Sequence, residues 1–374
     1  DNTLAPTAEL FGDDFKNLNY DIRGFAGQDM IVAFNGTDTV YGGQGNGFDR
    51  IQKISPAITA GNLLVGGEAT LNGVSLLDGD QIILRSLGQS PDTTDGWILS
   101  SPSFYGATVM SGGSVVGSAV NLSGSSGGGN YINLYGTMTG GAIYGSAVNS
   151  TNNTLSGNNI FISQGLDTDN VTLIGGLLNG GTIYGDAYSI TGGQAGSDTI
   201  TLEDMKSGVI YGDAVTDSGY TPGKNEIEIN GAMSGGTIYA GNGDDIVRIT
   251  KWAGGSIDLG AGDDSIRITQ LTGTASGTNG IIKLGPDGTV GADTVDLSFL
   301  ESAGSGLNNV YAIQCVGAND KIFFNSAHTV TRVATGTYEI ITEVGGSTHT
   351  LYCYGDGSVL TNFATETNVD VIIP

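Results

Sequence analysis

Basic residues are scarce in this chain. Lys and Arg number 13 against 38 Asp and Glu, giving a formal net charge of −25 and a pI near 4.1. Such a charge repels nucleic-acid phosphates and anionic bilayers, which makes both poor partners. Charged residues are only 14% of the chain while hydrophobic residues reach 39%. Disorder needs the reverse balance, so a packed fold is expected. Proline supplies 7 of 374 residues against 64 glycines, which rules out collagen and Pro-rich linkers. No apolar run approaches the ~18 residues of a membrane helix, so no membrane insertion is expected. Cysteines number 2, Cys315 and Cys353; they are a disulfide candidate that suits secretion, the alternative being two buried thiols. The chain begins at Asp1 rather than Met, which fits removal of a secretion signal as well as trimming, and an extracellular location is expected.

What the chain has in abundance is an internal repeat. Seven glycine-led segments align: GGSVVGSA from Gly112, GGAIYGSA from Gly140, GGTIYGDA from Gly180, SGVIYGDA from Ser207, GGTIYAGN from Gly235, GGSIDLGA from Gly254 and NGIIKLGP from Asn279. Their offsets run 28, 40, 27, 28, 19 and 25 residues, so a constant core carries one loop of adjustable length. A second half follows each loop, as in INLYGTMTGG, IEINGAMSGG and VRITKWAGG. Alternation with period two over four or five residues predicts strands. Units this small bury a face only by stacking. The expected fold is therefore all-β: a β-solenoid of parallel stacked coils with flanking β-rich terminal domains. Stacking puts Val115, Ile143, Ile183, Ile210, Ile238, Ile257 and Ile282 in one inward column. The next position predicts an outward aromatic ladder of Tyr144, Tyr184, Tyr211 and Tyr239, read either as stacking that stabilises a sheet face or as a sugar-binding or partner-binding stripe.

Two loops carry chemistry. AGNGDDIVR from Ala240 and LGAGDDSIR from Leu259 lie 19 residues apart. Each follows the nonapeptide G-G-x-G-x-D-x-U-x except at its first glycine. Similar segments run from Gly24 (GFAGQDMIV), Ala33 (AFNGTDTVY) and Gly42 (GGQGNGFDRI), and a degenerate copy, LGPDGTVGADTV, starts at Leu284. The pattern resembles the RTX family of secreted bacterial proteins, whose β-roll binds Ca²⁺ between turns. The resemblance implies several Ca²⁺ ions held by Asp29, Asp38, Asp49, Asn242, Asp244, Asp245, Asp263, Asp264, Asp287 and Asp293. The chemistry agrees independently: Ca²⁺ takes carboxylate and backbone carbonyl oxygens, and glycine lets carbonyls converge. The competing reading is a glycine–aspartate turn with no metal. Asp186 and Asp213 fall in the column just before such a loop, where Ser118 and Ser146 stand in earlier repeats; the longer-looped repeats from Gly117 to Asn225 depart from the family pattern and are expected to hold together without calcium. A weaker resemblance, to a small β module of phage tail fibres and bacterial surface proteins, covers 60–104 around ATLNGVSLLDGDQIILRS.

Catalytic constellations are scarce, although clustered carboxylates on one solenoid face are what a polysaccharide lyase or hydrolase would use. His328 and His349 are the only histidines, there is no H-E-x-x-H, and the single G-x-S-x-G string, Gly124–Gly128, sits in a Gly/Ser loop without a strand-to-helix turn. The expected domains are 1–56 with RTX-like nonapeptides, 57–108 as the small module, 109–298 as the solenoid and 299–374 as a β-rich cap. In the cap, Val369, Val371, Ile372 and Ile373 form a terminal apolar strand that either closes its own domain or adds to a neighbouring copy. The function expected is a calcium-binding structural protein of the bacterial surface or matrix (S-layer, fibre or adhesin subunit), not an enzyme. Expected partners are copies of itself and cell-surface polysaccharide. A carbohydrate-active enzyme or its calcium-binding module, and a phage tail or receptor-binding protein, are the alternatives.

Overall fold

The computed structural model describes residues 2–4, 18–24, 28–43, 48–55, 57–67, 69–72, 80–87, 105–125, 129–166, 173–272, 278–285, 291–297, 309–316, 321–323, 328–334, 337–344, 347–355 and 371–372. Among them there is no helix; the chain is all-β, and its strands pair mostly in parallel. It divides into two compact units, Asp1–Glu203 with Asp213–Thr221, and Asp204–Gly212 with Pro222–Pro374.

In the first unit, β-branched residues recur at one place in successive strands and so line up as columns. Val40, Leu64, Val115, Ile143 and Ile183 are register neighbours in turn. Ile31, Ile51, Ile82, Ile132, Ile160 and Ile200 form a second such column. All of these side chains are fully buried, and each contributes about 1.5–3 kcal/mol of transfer free energy. A third column, two residues further along, runs Ala33, Lys53, Leu84, Leu134, Ile162 and Leu202. Its one charged member, Lys53, is wholly buried. The strands Leu63–Val65 and Gln81–Leu87 belong to these same ladders, so the boundary expected at residue 57 is not marked by a change of architecture; the rest of the module at 60–104 lies largely outside the described residues.

A second, five-stranded parallel sheet joins Thr70–Asn72, Ala119–Ser123, Ala147–Thr154, Ala187–Gln194 and Thr216–Thr221. Three of its strands, those beginning at Ala119, Ala147 and Ala187, start one residue past a G-S/D corner. There Ala119, Ala147 and Ala187 stack, buried, because the chain turns too tightly for a larger side chain. The corner glycine is equally constrained: a Cβ on Gly145 would lie 1.6 Å from the Gly185 carbonyl oxygen. The second sheet also changes the aromatic column. Val120, Tyr144 and Val148 pack on Tyr41, Val65 and Val116, and Tyr188 meets Tyr184 edge-on at 6.0 Å. Tyr144 and Tyr184 stack at 4.8 Å and 3°, but Tyr184 is only 8% exposed. The outward ladder expected there is instead largely covered.

The second unit contains columns of the same chemistry. Ile210, Ile238, Ile257, Ile282 and Ile313 form one, and Ile227, Val247, Ile266, Val295 and Ile322 another. Met233, Trp252 and Leu271 follow in a third. Tyr211 and Tyr239 stack at 4.9 Å and 9°, and here the outer ring is open to solvent, Tyr239 being 39% exposed. Towards the C-terminus the pairing turns antiparallel. His328–Ala334, Thr337–Val344 and Ser347–Gly355 form a meander whose last strand runs parallel to Asn309–Val316. Cys315 and Cys353 lie on those two neighbouring strands, and Cys353 sits beside Ile313; both cysteine side chains are outside the described residues. Val371–Ile372 pairs antiparallel with Lys321–Phe323 of the same chain, Val371 opposite Ile322 and Ile372 opposite Lys321. Val369 and Ile373 lie outside the described residues.

Candidate metal centre

The two nonapeptide loops of the second unit stack on one another. Asn242 bridges to Ala261 in parallel. The Gly243 N–H donates to the Ala261 carbonyl at 2.7 Å, and the Ala261 N–H to that of Gly241 at 3.2 Å. Contact this close demands glycine. At Gly260, with φ +92°, a Cβ would stand 1.6 Å from the Gly241 oxygen. Gly260→Ala is therefore expected to destabilise this unit by about 1–3 kcal/mol or more, read as a lowered thermal midpoint.

Stacking separates the paired aspartates of each loop into two columns. Asp244 and Asp263 face solvent; the Asp263 N–H donates to Asp244 Oδ1 at 3.0 Å, and the Ala292 N–H to Asp263 Oδ1 at 2.9 Å. Asp245 and Asp264 face inward and are each 1% exposed. Here the Asn225 N–H donates to Asp245 Oδ1 at 2.7 Å, Asp245 N–H to Asp264 Oδ1 at 2.7 Å, and Asp264 N–H to Asp293 Oδ1 at 2.9 Å. The second oxygen of Asp264 is buried and accepts no hydrogen bond. Burial pushes the Asp264 carboxyl up to about 7, the Asp245 N–H offsets part of that, and the charges of Asp244 and Asp263 add to it.

The first unit contains a longer column of the same design. Asp29 N–H donates to Asp49 Oδ1, Asp49 to Asp80, Asp80 to Asn130, Asn130 to Asn158 and Asn158 to Asp198, at 2.6–3.1 Å. Asp29 and Asp49 thus stand in one buried file with each other, and Asp38 stands elsewhere. Asp38 accepts from the Tyr20 N–H, gives its own N–H to Asn62 Oδ1, and binds the ammonium of Lys53. An internal cation already neutralises it, so it is not among the residues that call for a metal. Asp287 lies outside the described residues.

Sequence reasoning missed Asp80, Asn130, Asn158, Asp198 and Asn225. The signal was present: every member of the two columns is Asp or Asn two residues before a β-branched core position, as in Asp80-Gln-Ile82, Asn130-Tyr-Ile132, Asn158-Asn-Ile160 and Asp198-Thr-Ile200 in the first unit and Asn225-Glu-Ile227 and Asp245-Ile-Val247 in the second. The choice between the two residues has consequences. Asparagine both accepts and donates. Asn158 Nδ2 reaches the Gly185 carbonyl at 3.0 Å, Ser146 Oγ at 3.0 Å and Asp198 Oδ1 at 2.9 Å, while Asn130 Nδ2 reaches Gly145 O and Ser118 Oγ. An ionised aspartate has no proton to give. Buried, it must take up a proton or face a cation.

The aspartate positions show that tension. Burial pushes Asp49 up to about 6 and Asp80 up to about 8; in each, a hydrogen bond from the preceding residue in the file, Asp29 for Asp49 and Asp49 for Asp80, partly opposes the shift and that residue's charge adds to it. Asp198 rises to about 8, by burial first. Asp186, which accepts from the Gly196 N–H at 2.7 Å, is raised well above the carboxylate range by burial and then by the charges of Asp198 and Asp213. Asp213 accepts from the Tyr220 hydroxyl at 2.9 Å.

As a donor set these columns offer carboxylate and carbonyl oxygens with no imidazole or thiolate, which suits a hard cation such as Ca²⁺. Among the described residues, no three acidic, histidine or cysteine side chains converge on one point. A cation at the stacked loops would therefore draw on two neighbouring carboxylates plus glycine-turn carbonyls. No family model, no curated protein and no solved structure matches the chain.

Proposed function

We propose that this chain is a secreted, calcium-binding structural protein of the bacterial cell surface or matrix: an S-layer, fibre or adhesin subunit built as a β-solenoid. The observation that carries the proposal is the sorting of acidic side chains into repeated columns. Asp245, Asp264 and Asp293 stand in a buried file, with Asp244 and Asp263 in a second file open to solvent. The nonapeptides resembling RTX repeats fall on these same residues, and parallel pairing in constant register suits stacked coils. Bound Ca²⁺ would supply positive charge to these acidic loops; Asp244, Asp245, Asp263, Asp264 and the loop carbonyls would supply the oxygens, and the glycines let successive loops approach. Copies of the same chain are its main partner, with cell-surface polysaccharide a second one for the exposed Tyr211–Tyr239 stack.

Millimolar external Ca²⁺ against a ~0.1 mM site stabilises by about 1.4 kcal/mol per site. A protein built this way is soft where calcium is low and sets after export. Melting at pH 7 in EGTA and then in millimolar Ca²⁺, with particle size followed by light scattering, is expected to show a higher midpoint and growth into large particles. An unchanged midpoint and an unchanged size would contradict the proposal.

A further inference from the structure

Lys53 occupies a position that is aliphatic in the other repeats of its ladder: its register neighbours are Ala33 and Leu84, and Leu134, Ile162 and Leu202 follow. Its side chain and that of Asp38 are both 0% exposed. From the Lys53 Nζ and Asp38 carboxyl contact in this dry interior, we infer that the two side chains condense into an intramolecular amide, a covalent cross-link between the residue preceding Thr39–Tyr41 and the strand Arg50–Ile54.

Four features of the site favour the step. Nζ is in direct hydrogen-bond contact with Asp38 Oδ2. It also donates to the Gly36 carbonyl at 3.0 Å, which fixes its orientation. The other carboxyl oxygen, Oδ1, accepts the Tyr20 backbone N–H at 2.8 Å, a donor placed where negative charge develops during attack on the carboxyl carbon. Burial pushes the Lys53 ammonium down, opposed by the hydrogen bond and charge of Asp38, which favours the neutral amine that attacks a carboxyl carbon.

The step balances within the pair. The Nζ–Cγ bond forms and the Cγ–Oδ2 bond breaks. Of the three ammonium hydrogens one stays on the amide nitrogen, and two leave with Oδ2 as water. The positive and negative charges cancel, and no oxidant or second reactant is required. The product removes a buried ion pair, whose desolvation is costly.

Intact mass measured on the denatured full-length chain, after purification in the folded state, tests this directly. The expected mass is lower than that of the sequence by one water, about 18 Da, and the peptides carrying Asp38 and Lys53 are expected to migrate as one branched species after digestion. Lys53→Met is expected to show its own full sequence mass. A wild-type chain at full sequence mass would overturn the inference whether or not the variant folds. So would a water loss located in a linear peptide, such as a succinimide at Asp78-Gly79.

Discussion

In the absence of divalent cations, the protein is expected to melt at progressively lower temperature as pH rises from about 4 to about 8. Most proteins stabilised by ionised carboxylates behave in the opposite sense. The sign follows from Asp80 and Asp198, each raised from an unfolded value of 3.8 to about 8. The folded chain keeps both protons up to about pH 8, while the unfolded chain releases them near pH 4. Between those limits the native state binds more protons, so their stabilisation is complete below pH 4 and is lost as pH climbs through the folded values. Asp49 and Asp264, at about 6 and about 7, add losses that finish earlier. A tenfold difference in proton affinity between the folded and unfolded chain is worth about 1.4 kcal/mol. Even one such tenfold step at each of these four carboxyls totals about 5 kcal/mol, comparable with the whole stability of many domains. For a domain of this size that is roughly 10–20 °C in midpoint. Self-repulsion at a net charge of −25 works in the same direction. Calorimetric scans in EGTA at several pH values check the slope. Asp80→Asn provides the internal control, since an amide donates a proton at every pH. That variant is expected to match the wild type at pH 4, melt higher at pH 8 and flatten the profile.

The second large effect is expected at Asn158. Its amide oxygen takes the Asn130 N–H, and its amide nitrogen serves the Gly185 carbonyl, Ser146 Oγ and Asp198 Oδ1 in a fully enclosed setting. Asn158→Leu keeps the volume and removes the amide's acceptor oxygen and both of its donor protons. Each buried group left without a partner costs about 1–3 kcal/mol, so the loss is expected to reach about 4 kcal/mol or more, with Asp198 made still harder to ionise. Denaturant midpoints for Asn158→Leu and Asn158→Asp separate two contributions. The leucine variant loses stability at all pH values. The aspartate variant loses most at neutral pH and recovers in acid, because protonation restores a donor. A leucine variant as stable as the wild type would show that the file contributes nothing to holding the repeats together.

The repeat and its inward column were legible because both depend on one residue type at a fixed place. Val115, Ile143 and Ile183 stand in register in one unit, and Ile210, Ile238, Ile257 and Ile282 in the other. Strand alternation alone carries that information. The covering of Tyr184 was not legible, since the sheet that does it begins at Ala119, Ala147 and Ala187, where the alternation is blurred by Ser, Thr and Asn. The acidic residues were read by motif, and the motif joined two positions that the fold parts. Asp244 and Asp245 are sequence neighbours, yet alternation sends one outward and the other into the buried file. Asp29, Asp38 and Asp49 looked equivalent in three successive nonapeptide-like segments, the third with a two-residue insertion before Asp49. A strand pairs with the second one along rather than the next, Asp21–Arg23 with Thr39–Tyr41, so Asp38 belongs to another file and meets Lys53. Asn130 and Asn158 escaped notice because an amide gives no charge signal, although it fills the same place in the backbone ladder.

Calcium titration of the intact protein at pH 7, followed by calorimetry with Asp245→Asn/Asp264→Asn alongside, tests the central claim most directly. Saturable binding near 0.1 mM or tighter, weakened in the double variant and accompanied by release of protons from the buried file, is the predicted result. No heat of binding up to several millimolar Ca²⁺, with the double variant indistinguishable from the wild type, would reduce the acidic loops to glycine–aspartate turns and contradict the account.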